Sequence, residues 1–137
     1  MGYQTLLDCR RRSRYLRRHG FTTDQIAVII GLDHPATPLR LYRYAAGLTA
    51  AQVVECFHRL SGTNGAGLRE SRLYDYENWP QAGRRPSVFT LRLLARIYDT
   101  RPAHLITNDA LATYSQRDQH TIRHLGRTDG SPGTPTG

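Results

Sequence analysis

A threonine followed three residues later by glutamine, the spacing of a helix start, occurs in Thr22-Thr23-Asp24-Gln25 and in Thr49-Ala50-Ala51-Gln52. In each, a threonine can accept from the amide three residues on while the glutamine reaches back to the threonine amide, which fixes a helix N-terminus. Gly20, Gly31 and Gly47 stand where helices starting nearby would stop, because glycine takes left-handed geometry without a Cβ penalty. Pro38 suits a first helical turn, Ser87 an N-cap, and Pro80 blocks any helix that reaches it. Starts and stops this close together limit the chain to short helices. No strand pair, heptad array or internal repeat competes with them, so the expected fold class is all-α. Only Ile26–Ile30, rich in β-branched residues, admits a strand as the alternative.

Apolar spacing places the helices. Residues 4–19 give a narrow stripe of Leu6, Leu7 and Leu16 among Arg10, Arg11, Arg12, Arg14, Arg17 and Arg18, ended by Gly20. Residues 22–31 form a second helix stopped by Gly31, with Ile26, Val28, Ile29 and Ile30 buried. A third runs over Leu39–Ala46, and a fourth starts at Thr49 with Val53, Val54, Phe57 and Leu60 on one face. Residues 61–67 read as a flexible loop. Leu73, Tyr76 and Trp79 then recur at i, i+3 and i+6, leaving Ser71, Arg72, Tyr74, Asp75 and Asn78 off the buried stripe. Ser87 caps a helix through Asp99 that buries Leu91, Leu94, Ala95 and Tyr98, and Pro102 opens a short turn anchored by Leu105 and Ile106. Beyond Thr107 the pattern weakens. Leu111, Tyr114, Ile122 and Leu125 support one marginal helix before a tail whose composition predicts disorder.

The formal charge is +8, and the basic residues are all arginine. Guanidinium groups pair bidentately with phosphate and with guanine edges, so the excess points to nucleic acid, with a merely solvated surface as the alternative. Cys9 and Cys56 have no His or Cys at metal-ligand spacing, which predicts reduced thiols and a cytoplasmic chain, nucleoid-associated if its charge serves nucleic acid. No apolar run is long enough to span a membrane, and the N-terminus lacks the form of a secretory signal. The chemistry of an enzyme is not evident. Gly62-Thr63-Asn64-Gly65-Ala66-Gly67 has no lysine to make a phosphate loop. His120 and His124 are spaced to share a metal, but no third ligand is near in sequence, so a solvated helix face is the simpler reading. No catalytic residue, metal or cofactor is expected.

The run from about Leu39 to Ile106 resembles the lambda-repressor-like, XRE-type helix-turn-helix domain. Arg43-Tyr44-Ala45-Ala46-Gly47-Leu48-Thr49 is similar to that family's first helix, its Gly-Leu-Thr break and the start of helix two. Arg72-Leu73-Tyr74-Asp75-Tyr76-Glu77-Asn78 resembles its recognition helix, and Arg84-Arg85-Pro86-Ser87 its basic loop before helix four. The stretch from Ser71 to Ser87 looks like the variant common in actinobacterial regulators. Two features depart from the family pattern: His58 stands about where the tight glycine turn falls, and Ala50 follows the capping threonine where glutamine is usual.

The resemblance implies a five-helix helix-turn-helix domain over 37–107, preceded by a basic helical extension over 1–36 and followed by a weakly structured to disordered tail over 108–137. It implies a transcriptional regulator that reads double-stranded DNA with a helix over about 69–79 in the major groove. Arg69, Glu70, Ser71, Arg72 and Asp75 are then the candidates for base contact, and Arg43, Thr49, Tyr74, Arg84 and Arg85 those for phosphate contact. An intrahelical Arg72–Asp75 ion pair and a solvated Arg84–Arg85 loop are the structural alternatives. One such domain reads few base pairs, so a homodimer on two half-sites is expected. A second placement starts the motif at Phe21-Thr22-Thr23 and exposes Arg40 and Arg43 on its third helix. The functional alternative is a protein-interaction module of the same fold that binds another regulator. RNA binding, which needs exposed stacking aromatics, ranks below both.

Overall fold

The computed structural model describes residues 3–62 and 67–126. Among the described residues there are eight α-helices, one 3-10 turn and no strand, so the chain is all-α. In order they are α1 (Tyr3–Arg18), α2 (Thr23–Asp33), α3 (Pro38–Ala46), α4 (Ala50–Ser61), α5 (Glu70–Asn78), α6 (Val88–Tyr98), the 3-10 turn Pro102–Leu105, α7 (Asn108–Leu111) and α8 (Gln116–His124). Both capping boxes form. The Thr22 hydroxyl accepts from the Gln25 amide at 3.2 Å and the Thr49 hydroxyl from the Gln52 amide at 3.1 Å. Each glutamine returns the bond at 2.9 Å. Gly47, at φ +72°, ends α3 with its amide on the Arg43 and Tyr44 carbonyls. Part of the expected 61–67 loop, residues 63–66, and the tail from 127 onward lie outside the described residues.

Two expectations for α2 are corrected. The helix does not stop at Gly31 but continues to Asp33. There Gly31 serves close packing, since a Cβ would stand 3.2 Å from Leu41 Cδ1. Val28 is not buried. Ile26, Ala27 and Ile30 turn inward together, and the 3.6-residue period puts Val28 on the opposite side, where 67% of it is exposed. In α4, likewise, Val53 and Phe57 are buried but Leu60 reaches solvent.

One hydrophobic core runs from Leu6 and Cys9 of α1 to Ile122 of α8. The two N-terminal helices and the two C-terminal ones therefore share their apolar interior with the 37–107 segment. Burial also pushes the Cys9 thiol above its usual pKa, and both cysteines are free.

The arginine-rich α1 is docked on this body rather than held away from it. Arg10 Nε donates to the Gly47 carbonyl at 2.8 Å, Ser13 Oγ to the Ala45 carbonyl at 2.5 Å, and an Arg17 guanidinium nitrogen to the same Ala45 oxygen at 3.2 Å. These three residues share one face of α1 and meet the C-terminal end of α3, where carbonyls lack intrahelical partners and the helix dipole is negative. Arg12 pairs with Asp33 of α2, which holds the Asp33 carboxyl below its usual range. Because the Ser13 hydroxyl is buried, Ser13→Ala is expected to cost about 1–2 kcal/mol of unfolding free energy in a denaturant titration.

The segment after Thr107 differs from the expected marginal helix. It forms two short helices, each with its own cap: the Thr107 hydroxyl accepts from the Ala110 amide and the Ser115 hydroxyl from the Asp118 amide, both at 3.1 Å. Leu111, Tyr114 and Ile122 are buried. Spacing alone could not join them, because the break at 112–115 resets the helical phase between Leu111 and Ile122.

Candidate nucleic-acid interface

Helix α5 presents an outward row and an inward anchor. Arg69, Glu70 and Ser71 at its N-terminal turn are exposed, as is Tyr74, and Arg72 and Asp75 are partly so. The structure thus places the five base-contact candidates on the cap and first half of a single helix, where Ser71, Arg72 and Asp75 share one side and Glu70 turns towards the groove beside Thr49. Arg72 Nε lies 3.8 Å from Asp75 Oδ2, a loose surface pair that leaves both side chains about two-fifths exposed. The formal charges of Arg69, Glu70, Arg72 and Asp75 cancel, two positive against two negative. Arginines around the helix must therefore supply any net attraction for phosphate.

The inward anchor is Glu77, which has no exposed surface. Arg43 meets it in a bidentate pair, Nε to Oε2 at 2.6 Å and a terminal nitrogen to Oε1 at 3.1 Å. Arg40 adds a contact from Nε to Oε1 at 3.3 Å and donates to Asn78 Oδ1 at 2.9 Å. The Thr37 hydroxyl, which caps α3, donates to the Glu77 carbonyl at 2.6 Å. Burial disfavours the Arg43 charge, but hydrogen bonding and the charge of Glu77 more than offset it, and the Arg43 pKa rises. Helix α3 and helix α5 are thereby locked through charge as well as through Leu73 packing.

This geometry corrects two expectations. Arg43 is 5% exposed and committed to Glu77, so it does not reach outward as a phosphate contact. For the same reason α3 does not offer Arg40 and Arg43 as an exposed reading pair, which removes the basis of the second placement. The signal was present in the sequence. Glu77 lies four residues after Leu73, on the buried stripe, and a buried carboxylate needs partners. The two arginines three apart in α3 supply them.

The other phosphate candidates fall on two sides of α5. Thr49 and Tyr74 line a groove of about 640 Å³ that runs from the start of α1 and the 34–36 connection past Arg40 and Arg43 of α3 to the N-terminal ends of α4 and α5. Thr49 spends its backbone amide on Gln52, while the Tyr74 ring lies 5.7 Å from the Arg43 guanidinium. On the far side, the 79–87 segment folds back on the end of α5. The Asp75 carbonyl accepts from the Trp79 amide at 3.2 Å and the Arg84 amide at 3.1 Å. Arg84 and Arg85 are both exposed. Arg85 also lies 4.6 Å over the Tyr114 ring and donates to the Thr113 carbonyl, which ties the basic loop to the C-terminal helices. Tyr114 donates to the Pro86 carbonyl at 2.6 Å, and burial pushes its pKa up to about 12.

His58 acquires a role at the other end of the helix pair. Its Nε2 donates to the Leu68 carbonyl at 3.0 Å and bridges the end of α4 to the residues leading into α5. His120 and His124 stack on α8 at 4.1 Å between ring centroids, and no group of three potential metal ligands occurs among the described residues.

Comparison with models of known protein families, with curated proteins and with solved structures finds no match. No helix among the described residues is long and apolar enough to cross a membrane.

Proposed function

We propose that the chain is a sequence-specific, double-stranded DNA-binding transcriptional regulator, with α4 and α5 as its helix-turn-helix pair and α5 entering the major groove as a homodimer's reading element. The observation that carries this reading is the pairing of an exposed polar row with a rigid mount. Arg69, Glu70 and Ser71 are exposed at the start of α5, Arg72 and Asp75 are partly so on its outer side, and the helix is fixed from within by Glu77 and from its C-terminal end by the returning loop. Base readout needs donors and acceptors held in register, and a mount of this kind supplies it. The +8 charge provides attraction to phosphate that the neutral row lacks. The exposed Arg84 and Arg85 of the returning loop and the exposed Arg11, Arg14 and Arg18 of α1 carry part of that charge.

The neutral row also suits the second reading, a protein surface that docks another regulator. Salt dependence separates the two. Binding of the full chain to mixed-sequence duplex is expected to fall steeply with salt, and Arg84→Ala is expected to reduce the log–log slope by about 1. A slope near zero would favour the protein partner.

A further inference from the structure

We infer that the outer face of α2 is the surface on which two copies of this chain pair, about a two-fold axis at Val28. This rests on the DNA-reader proposal for its purpose, since a half-site reader needs a second copy, but its test uses no DNA.

The observation is an apolar helix with one side left bare. Between Asp24 and Asp33, α2 carries no formal charge, and its inner side is filled by Ile26, Ala27 and Ile30. On the outer side Val28 is 67% and Leu32 78% exposed, one turn apart. Ile29 and Leu41 are half-buried beside them, and Phe21 is exposed at the N-terminal end of the helix. A helix apolar on all sides is ordinarily buried on all sides. Isolated exposed leucines are commonplace, but a mid-helix pair with apolar flanks forms a patch of the kind that marks an interaction site.

The occupant follows from charge. Two molecules of charge +8 repel wherever arginine-bearing faces meet, and α2 offers an uncharged stripe on which they can approach. The Arg12–Asp33 pair at one end, roughly half exposed on both sides, gives the rim one charge of each sign. Antiparallel pairing about Val28 opposes the two helix dipoles and lays Leu32 of one copy over the Phe21–Gln25 turn of the other, so the surface is self-complementary. Such an interface sits at the small end of the size range, below roughly 800 Å² per partner, which predicts a reversible dimer of micromolar strength.

The test is sedimentation equilibrium of the full chain, without DNA, from about 1 to 100 μM, the range that brackets such a dimer. The wild type is expected to pass from monomer to dimer. Val28→Glu is expected to weaken dimerisation at least tenfold, with helical content by circular dichroism unchanged because the side chain is already in solvent. An equimolar mixture of the Val28→Glu and Val28→Lys chains is expected to recover the dimer, since the two-fold axis brings the opposite charges together. Phe89→Glu, a change at an exposed apolar residue on α6, is expected to leave the equilibrium as in the wild type. A wild type that stays monomeric to 100 μM, or a dimer that survives Val28→Glu, overturns the inference. Either result leaves the DNA reading standing, to be judged by its own salt dependence and sequence selection.

Discussion

Replacing Glu77 by alanine is expected to lower the unfolding free energy by about 3–5 kcal/mol, because it strands the Arg43 guanidinium inside the protein without a counter-charge. The carboxylate has no exposed surface and accepts from Arg43 through both oxygens, with Arg40 as a third contact. Removing one partner of a buried pair leaves the full desolvation penalty of the other, which is larger than the net worth of the pair itself. Glu77→Gln is expected to cost less, since the amide oxygen can still accept from Arg43 while the charge is lost. Guanidinium denaturation of both variants checks the order. A loss under about 1 kcal/mol for alanine would mean that Arg43 finds water or another acceptor, and that the α3–α5 lock is not electrostatic.

The second large effect is expected at Gly83. Its φ is +79°, and a Cβ there would stand 2.0 Å from the Asp75 carbonyl oxygen. Gly83→Ala therefore combines left-handed strain with a backbone overlap that no rotamer can relieve, and is expected to cost about 2–4 kcal/mol. The consequence reaches the proposed site. The same carbonyl accepts from the Trp79 and Arg84 amides, so pushing the loop away unfastens the C-terminal end of α5 and moves Arg84. Thermal unfolding measures the cost, and amide hydrogen exchange at Trp79 and Arg84 locates it. Unchanged protection at those two amides would show that the loop does not brace the helix.

Much of the fold was legible because its starts and stops are chemical. The Thr22–Gln25 and Thr49–Gln52 boxes, the Pro38 start, the Gly47 stop and the Ser87 cap all stand where their side-chain chemistry puts them. What local reading missed depends on partners distant in sequence. Gly31 resembles a stop, but its smallness is used against Leu41 ten residues later. Val28 belongs to an apolar run, yet which residues of that run face inward is set by where α1 and α3 lie. The arginines of α1 read only as part of a basic helical extension, and nothing local shows that Arg10 and Arg17 turn onto the carbonyl end of α3.

The site divides along the same line. That Ser71, Arg72, Tyr74, Asp75 and Asn78 lie off the buried stripe follows from helical period alone. That Arg43 is internal does not, because an arginine's direction depends on whether a buried carboxylate waits for it, and Glu77 lies 34 residues away. Arg85 stays exposed, but its guanidinium lies over Tyr114, in a segment whose two helices are separated by a phase break.

The central claim is that α5 reads DNA sequence through its exposed row. The most direct test is selection of the purified full chain against a random duplex library at near-physiological salt, repeated with Arg72→Ala and with Asp75→Ala. The account predicts enrichment of an inverted repeat whose half-sites are spaced by about one helical turn, and a changed or lost preference at one position of each half-site in each variant, worth about 1–3 kcal/mol. Failure of a folded wild type to enrich any sequence, or a motif that both substitutions leave intact, would contradict it.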